Sequence, residues 1–475
     1  MGKFINRQEE LAFLEQEYLR HGSSLVIVYG RRRVGKTALL AEFIKNRPAV
    51  YFLATEENET QNRAAFQKAV AEQAGIDFLL NSAAKGWDMI FKTWLDAACG
   101  KKKLIVLDEF QYLGKADPAF PSVFQKIWDT ILKEKEVMAV LCGSLISMME
   151  SQTLVYSSPL YGRRTGQIRL KQIPFRHYHE FFPDRSEKEL IAYYAVTGGV
   201  PKYIELFYDT SDIYTAIEQN ILSKSSFLYD EPNFLLHREV REIGSYFSLI
   251  KTIAAGNQKL SKIAAALKLR QAVLAEYLKT LINLDILERE VPVIEENPEK
   301  SKKGLYKIKD NFILFWFRFV FPNLNYIESG HVQLAMQKIR VNLADAHISY
   351  VYEDICMEKM WELNSAHAWD FYFDKIGRWW DSHTEIDIVA MDSGGQDIIF
   401  GECKYWSGRT GRSVLVSLEQ KARQVCWKNG MRREHFILFA WNGFTDELTA
   451  LAKERTDLIL ISERGFENGK VFKSG

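Results

Sequence analysis

Residues 25–43, LVIVYGRRRVGKTALLAEF, constrain this chain more than any other stretch. A run of strand-forming residues stops at Gly30, four residues follow, and Gly35, Lys36 and Thr37 open a helical pattern. G-x-x-x-x-G-K-T between a strand and a helix is the pattern of a phosphate-binding loop. Backbone amides along Gly30, Arg31, Arg32, Arg33, Val34, Gly35, Lys36, Thr37 and Ala38, with the positive end of the following helix, cradle phosphate oxygens. A Cβ at either glycine is expected to crowd those oxygens. Lys36 is expected to reach the β- and γ-phosphates and the Thr37 hydroxyl to hold Mg2+, which makes ATP with Mg2+ the expected cofactor. The plain alternative is a glycine turn before a basic helix start, and the three loop arginines keep it open. Strand, loop and helix together favour the phosphate loop.

At 475 residues the chain has room for about three domains, at ~150 residues each. Its net charge of +1 gives no global basic field, so any nucleic-acid surface has to be local. Five scattered cysteines (Cys99, Cys142, Cys356, Cys403 and Cys426) never form C-x-x-C. They point to a reducing, cytoplasmic compartment without a disulfide framework or zinc site. The aromatic run 312–321, FILFWFRFVF, is about half a membrane span and carries Arg318. It reads as a buried helix, and no membrane partner is expected. The start, MGKFINRQEE, has no apolar signal region, so export is not expected.

Along the chain, an amphipathic helix over 4–20 precedes the loop; a strand at 50–54 and two helices across 58–98 follow it. KLIVLDEFQ then gives a continuously apolar strand ending in Asp108 and Glu109. A buried parallel strand that delivers acids at its C-terminal tip suits a nucleotide site, because ligands gather at that edge. Asp108 is expected to hold Mg2+ through water, and Glu109 to polarise the attacking water. Another apolar strand, 137–142, ends in Gly143-Ser144; Ser144 reads either as a sensor of the γ-phosphate or as part of an ordinary turn. Arg163 and Arg164 stand just before a fifth short strand.

With these motifs the region up to residue 225 resembles the archaeal-type AAA+ ATPases, relatives of the STAND signalling ATPases. The resemblance rests on F-x-N-R with Asn6 and Arg7, the phosphate loop, LDEFQ, the Gly-Ser after the fourth strand, and Gly198-Gly199-Val200-Pro201. It implies a five-stranded parallel core over 1–172 and a helical lid over 173–226. It also implies nucleotide contacts for Asn6, Arg7 and Pro201, the last against adenine, and an arginine finger to a neighbouring subunit from Arg163 or Arg164. An ATP-dependent homo-oligomer would follow. A solvated basic turn is the alternative for the two arginines.

Residues 237–310 read as a winged helix: one helix face with Leu260, Ile263, Ala264 and Leu267, a turn near 268–270, a second helix with Leu274, Leu278, Leu281 and Ile282, then strands at 287–293 and 305–308. Arg270, Gln271, Lys279, Lys300, Lys302 and Lys303 could meet DNA phosphates as contacts that read no sequence. Glu276, Glu295, Glu296 and Glu299 dilute that charge, and a packed regulatory module is the equal alternative. A helical connector fills 311–345.

From 346 to 475 the chain reads as a separate α/β domain. Glu353 projects from a largely apolar face of a helix over 347–363, among Tyr350, Met357 and Met360. The strand at 384–391 puts Glu385 and Asp387 on one face, and IIFGECK puts Glu402 and Lys404 together with Cys403 opposite. An acid on a helix, Asp on one strand and Glu-x-Lys on the next resemble the PD-(D/E)XK nuclease core. That core implies Mg2+ on Glu353, Asp387 and Glu402, with Lys404 steadying nucleophile or phosphate. Ile386 stands where a proline often precedes the aspartate. The alternative is a nuclease fold without catalysis, used for recognition. His177 and His179 lack a third metal ligand nearby and read as lid surface. Trp379, Trp380, Trp406, Trp427 and Trp441 read mostly as core, and Gln420 as an assistant to the site. The combined expectation is an ATP-hydrolysing protein coupled to a nuclease-like domain acting on DNA, or else an ATP-switched DNA-binding or signalling protein.

Overall fold

The computed structural model describes residues 4–83, 85–97, 102–240 and 242–463; Cys99 lies outside them. Two compact units are present. Met1–Ile173, Val200–Glu205 and Leu235–Arg241 form the first, and Pro174–Gly199, Leu206–Phe234 and Glu242–Gly475 the second.

In the first unit, helix α1 (Gln8–Leu19) precedes β1 (Ser24–Tyr29), and α2 (Lys36–Ile44) follows the loop. The other strands are β2 (Ala49–Leu53), β3 (Lys103–Asp108), β4 (Val137–Gly143) and β5 (Gly166–Arg169). All pair in parallel, in the order β2-β3-β4-β1-β5. β1 and β4 are buried along their whole length, which is why SLVIVY and VMAVLCG are continuously apolar rather than alternating. β2, at the edge, buries alternate residues. Because β4 lies between β1 and β3, the tips of these three strands emerge side by side. The phosphate loop, Asp108-Glu109 and Gly143-Ser144 therefore meet at one edge of the sheet. Beneath them Val26, Val28, Val106 and Val140 pack with Leu14, Leu39, Leu40 and Phe43.

The two loop glycines have different reasons to be glycine. At Gly30, where φ is 155°, a Cβ would stand 2.3 Å from the carbonyl oxygen of Leu170. Close backbone passage beside the residue after β5, rather than room for phosphate, is what excludes a side chain there. A Cβ at Gly35 would make only an ordinary contact, but its φ of 96° is left-handed, a conformation that favours glycine.

The second unit holds α3 (Glu187–Thr197), the first turn of α4 (Glu231–Glu239), α5 (Leu260–Leu267) and α6 (Gln271–Asn283), then the antiparallel pair β6 (Leu287–Glu290) and β7 (Leu305–Ile308). β6 is shorter than the expected 287–293. Pro292 has no N–H to offer a ladder, and the Val293 N–H bonds instead to the carbonyl of Arg378, at 3.0 Å. The aromatic run 312–321 is helical and largely buried, as its sequence suggests. Next come α7 (Ser349–Ser365), β8 (Lys375–Trp380), β9 (Glu385–Met391), β10 (Asp397–Lys404), α8 (Arg412–Ala422), β11 (Arg433–Ala440) and β12 (Leu458–Ile461). They build a mixed sheet, β12-β11-β10-β9-β8, antiparallel on the β8 side of β10 and parallel on the other. Ile386, Phe400, Leu415, Leu418, Phe436 and Leu438 fill its core. Trp379, Trp380 and Trp441 are buried, whereas Trp406 is exposed. Among the described residues no helix is long and apolar enough to cross a membrane.

Candidate functional site

At the shared edge of the parallel sheet, Lys36 is buried and its Nζ donates to the carbonyls of Gly30 and Arg31, both at 2.9 Å. Burial lowers its pKa, partly offset by Cys142, Glu109 and Asp108. The Thr37 hydroxyl donates to Asp108 Oδ2 at 3.2 Å, the same oxygen that accepts from the Tyr51 hydroxyl. Hydroxyl and carboxylate thus stand together as a hard oxygen pair, the donor chemistry a magnesium ion takes. Tyr51 was not foreseen. The signal was available: Leu53 pairs with Asp108 across the ladder, and Tyr51, two residues back, shares that face. Burial and Asp108 together push the Tyr51 phenol up, which keeps it a donor.

Glu109 takes a left-handed φ of 52°, unusual for a residue with a side chain. Such strain collects at functional sites. The turn aims its carboxylate at β4, where the Ser144 hydroxyl donates at 2.8 Å and the Gln111 amide also donates. The acid expected to polarise water and the serine expected to sense phosphate are therefore directly bonded.

The remaining nucleotide-site candidates divide by task. Arg7 is buried and holds Val34 O at 3.1 Å and Lys171 O at 2.5 Å while pairing with Glu10, so its guanidinium braces the loop from behind. Asn6 beside it is left-handed, with φ 60°. Arg32 donates to the Tyr112 hydroxyl at 2.8 Å, and Arg31 is buried. Burial lowers the Arg33 pKa, while nearby Tyr203 raises it. Val34 is buried, and Thr37 and Ala38 are exposed in the first turn of α2. Pro201 Cγ lies 3.9 Å from where a Gly35 Cβ would be, which places the 200–205 segment against the loop. Arg163 is held by Asp129 at 2.9 Å, whereas Arg164 lies 5.9 Å from the centre of the Tyr161 ring.

In the second unit the sheet brings Asp387, Glu402 and Lys404 together. Asp387 Oδ2 accepts the Cys403 N–H at 2.8 Å, and Lys404 Nζ lies 2.8 Å from Glu402 Oε1. Lys421 on α8 approaches Glu402 Oε2 at 3.0 Å. Sequence reading chose its neighbour Gln420; the choice between two adjacent helix positions depends on how α8 rotates against β10, which no local pattern reveals. Burial raises the Asp387 pKa, and Glu402 raises it further.

Glu353 corrects the expectation of a three-carboxylate metal cluster. Arg378 Nη2 binds Glu353 Oε2 at 2.9 Å and Asp354 Oδ1 at 2.8 Å, and Arg378 Nη1 binds Glu290 Oε1 at 2.7 Å. Lys307 joins from β7, 3.1 Å from Glu290 Oε1. Glu353 is thereby spent in a buried ion network. Among the described residues no group of three or more His, Cys, Asp or Glu is arranged to hold a metal ion. His177 bonds to Glu180 and His179 to the Arg176 carbonyl, each at 2.9 Å.

The first unit, with loop lysine, hydroxyl and strand-tip acids at one sheet edge, defines a P-loop ATPase. Residues 4–207 match a family described as an ATPase domain predominantly from Archaea, and residues 316–422 a family described as archaeal and bacterial proteins of unknown function. An uncharacterized protein of Methanocaldococcus jannaschii is 36% identical over 424 residues, covering 89% of this chain and 92% of its own length. The chain belongs to the same family as this protein, and its residues 4–207 are an archaeal-type P-loop ATPase domain. An uncharacterized ATP-binding protein of the same organism is 52% identical over 44 residues, 9% of this chain and 75% of its own length. Among solved structures, the Walker-type ATPase of Pyrococcus abyssi is similar at 19% identity and TM-score 0.49, covering 66% of this chain and 96% of its own.

The Arg378 network makes a sharp prediction. Removing the one guanidinium that three carboxylates share leaves buried charge uncompensated, so Arg378→Ala should lower unfolding free energy by ~3–5 kcal/mol. Urea denaturation followed by tryptophan fluorescence should show it; a loss under ~1 kcal/mol, the range of a surface ion pair, would show the network to be solvated.

Proposed function

We propose that this chain is an ATP-driven switch whose second unit carries a Mg2+-dependent, nuclease-like site for DNA. The supporting observation is the clustering of Asp387, Glu402, Lys404 and Lys421 at the ends of β9 and β10 and on α8. Asp387 and Glu402 supply hard oxygens, and one or two carboxylates are what Mg2+ takes alongside substrate phosphate. Lys404 and Lys421, now neutralising Glu402, would turn toward a phosphodiester when a cation takes the carboxylate. The ion would polarise the phosphoryl group and lower the pKa of attacking water. In this reading α5, α6 and the β6–β7 hairpin form a winged helix, with Arg270 and Lys300 free to meet DNA backbone and Lys303 paired to Glu295 at 2.7 Å.

At the ATPase site, Thr37 and Asp108 would hold Mg2+, Lys36 would leave its carbonyls for the β- and γ-phosphates, and Glu109 would orient water with Ser144 reporting the terminal phosphate. Arg7 acts through the loop it braces. Of the paired arginines, Arg164 fits a finger to a neighbouring copy better, because Arg163 is committed to Asp129.

One observation favours a second reading, in which the second unit recognises DNA or a partner without cutting. Glu353 is neutralised by Arg378, and Glu402 by two lysines, so two of the three expected acids already have cations.

For the ATPase, saturating Mg-ATP at about a hundredfold over its dissociation constant should stabilise the wild-type chain by ~2.7 kcal/mol. Lys36→Ala should remove that gain in thermal unfolding; a variant stabilised as much as wild type would place the nucleotide elsewhere. For the second unit, calorimetry without nucleotide should detect Mn2+ binding that is lost in Asp387→Ala and Glu402→Ala, and cleavage of DNA should vanish in both and in Lys404→Ala. DNA binding without metal affinity or cleavage would decide for the recognition reading.

A further inference from the structure

Residues 405–411, YWSGRTG, leave the tip of β10 and lead to Arg412 at the start of α8. β10 and β11 pair in parallel, with Lys404 opposite Ala440, so this loop lies past their carboxyl ends, the edge where ligands of parallel sheets gather. Its backbone is clasped at both ends. The Asn442 amide donates to the Trp406 carbonyl; the Thr410 N–H donates to Gly443 O at 2.9 Å, and Thr410 O accepts the Thr445 N–H at 3.0 Å. Thr410 is buried, and its hydroxyl accepts the Trp406 indole N–H at 3.2 Å. The indole is thus fixed in direction, yet Trp406 is 43% exposed, while Trp379, Trp380 and Trp441 of the same unit are buried. Lys404 Nζ, the group that bonds Glu402, stands 5.7 Å from the centre of the indole ring.

Leaving an indole in water forgoes the apolar burial a tryptophan brings, and fixing it costs the freedom that exposure would allow. A flat partner stacked on the ring recovers the burial, and the fixed direction then lowers the cost of binding. The charges nearby say which flat partner. Arg409 and Arg412 are exposed and pair with Asp446 and Glu447 at 3.5 Å each, surface contacts weak enough to be exchanged for phosphates. An aromatic face among exchangeable cations is the equipment that holds a single strand of nucleic acid. We propose that Trp406 is a stacking platform for an unpaired base beside the Asp387, Glu402 and Lys404 cluster, so that the second unit takes DNA with a single-stranded stretch in preference to continuous duplex. This rests on the reading of the second unit as acting on DNA. A base inside a duplex is already stacked on both faces and has none to offer the indole. An unpaired base on Trp406 brings its own phosphate toward Lys404 and the two acids.

Fluorescence anisotropy of the full chain, with Ca2+ in place of Mg2+, compares a labelled single-stranded oligonucleotide with a blunt duplex of the same length. Trp406→Ala should weaken single-strand binding about tenfold, the scale of one stacked base, and duplex binding less than about twofold, since phosphate contacts carry the latter. Trp406→Phe, which keeps an aromatic face, should restore most of the loss. A second measurement needs no variant: in a set of single strands, each with one base removed to leave an abasic sugar, the wild type should lose about tenfold at one position. Single-strand affinity unchanged in Trp406→Ala, or no position sensitive to base removal, would overturn the platform while DNA binding and Mn2+ uptake by the wild type left the metal site standing. A wild-type chain that binds neither DNA would overturn the DNA reading and the platform together.

Discussion

The ATPase unit depends on one carboxylate. Asp108 gathers the Thr37 hydroxyl from the first turn of α2, the Tyr51 hydroxyl from β2 and the Glu109 amide from its own strand tip. Three separate pieces of chain are thereby fixed around a single acid. Parallel pairing makes this convergence possible: β4 lies between β1 and β3, so the phosphate loop, the acid pair and Ser144 emerge at one edge. The strained turn at Glu109 then aims the second acid at Ser144 rather than outward. A chain order that separated these strands would carry the same residues and no site.

The second unit is organised by the opposite sign. Arg378 is buried and binds three carboxylates from two elements: Glu290 of β6, and Glu353 and Asp354 of α7. The register of β8 against β9 shifts between Gly377 and Trp379, the place where Arg378 stands. Such an irregularity re-aims a side chain, and here it turns a guanidinium inward under α7. The β6–β7 hairpin, α7 and the mixed sheet thus share one charge network.

Legibility followed distance along the chain. The phosphate loop, Asp108-Glu109 and Ser144 were readable because strand, turn and helix signals lie within a few residues of the functional groups. Asp387, Glu402 and Lys404 were brought together as their alternation indicated, since β9 and β10 are neighbours in sequence and in space. Glu353 was correctly seen as a carboxylate needing a reason to face apolar surroundings, but the reason is an arginine 25 positions away. Arg378 carries no pattern of its own. Gly30 was read for its ligand, whereas its neighbour Leu170 is what it accommodates.

Phosphate release from Mg-ATP under single-turnover conditions, comparing wild type with Glu109→Gln, tests the central claim most directly. If Asp108 and Glu109 divide metal holding and water polarisation as their geometry indicates, the variant should bind ATP as tightly as wild type and release phosphate at least ~100-fold more slowly, the scale of a positioned general base. Hydrolysis by Glu109→Gln at the wild-type rate would contradict the assignment and move the catalytic base to another residue.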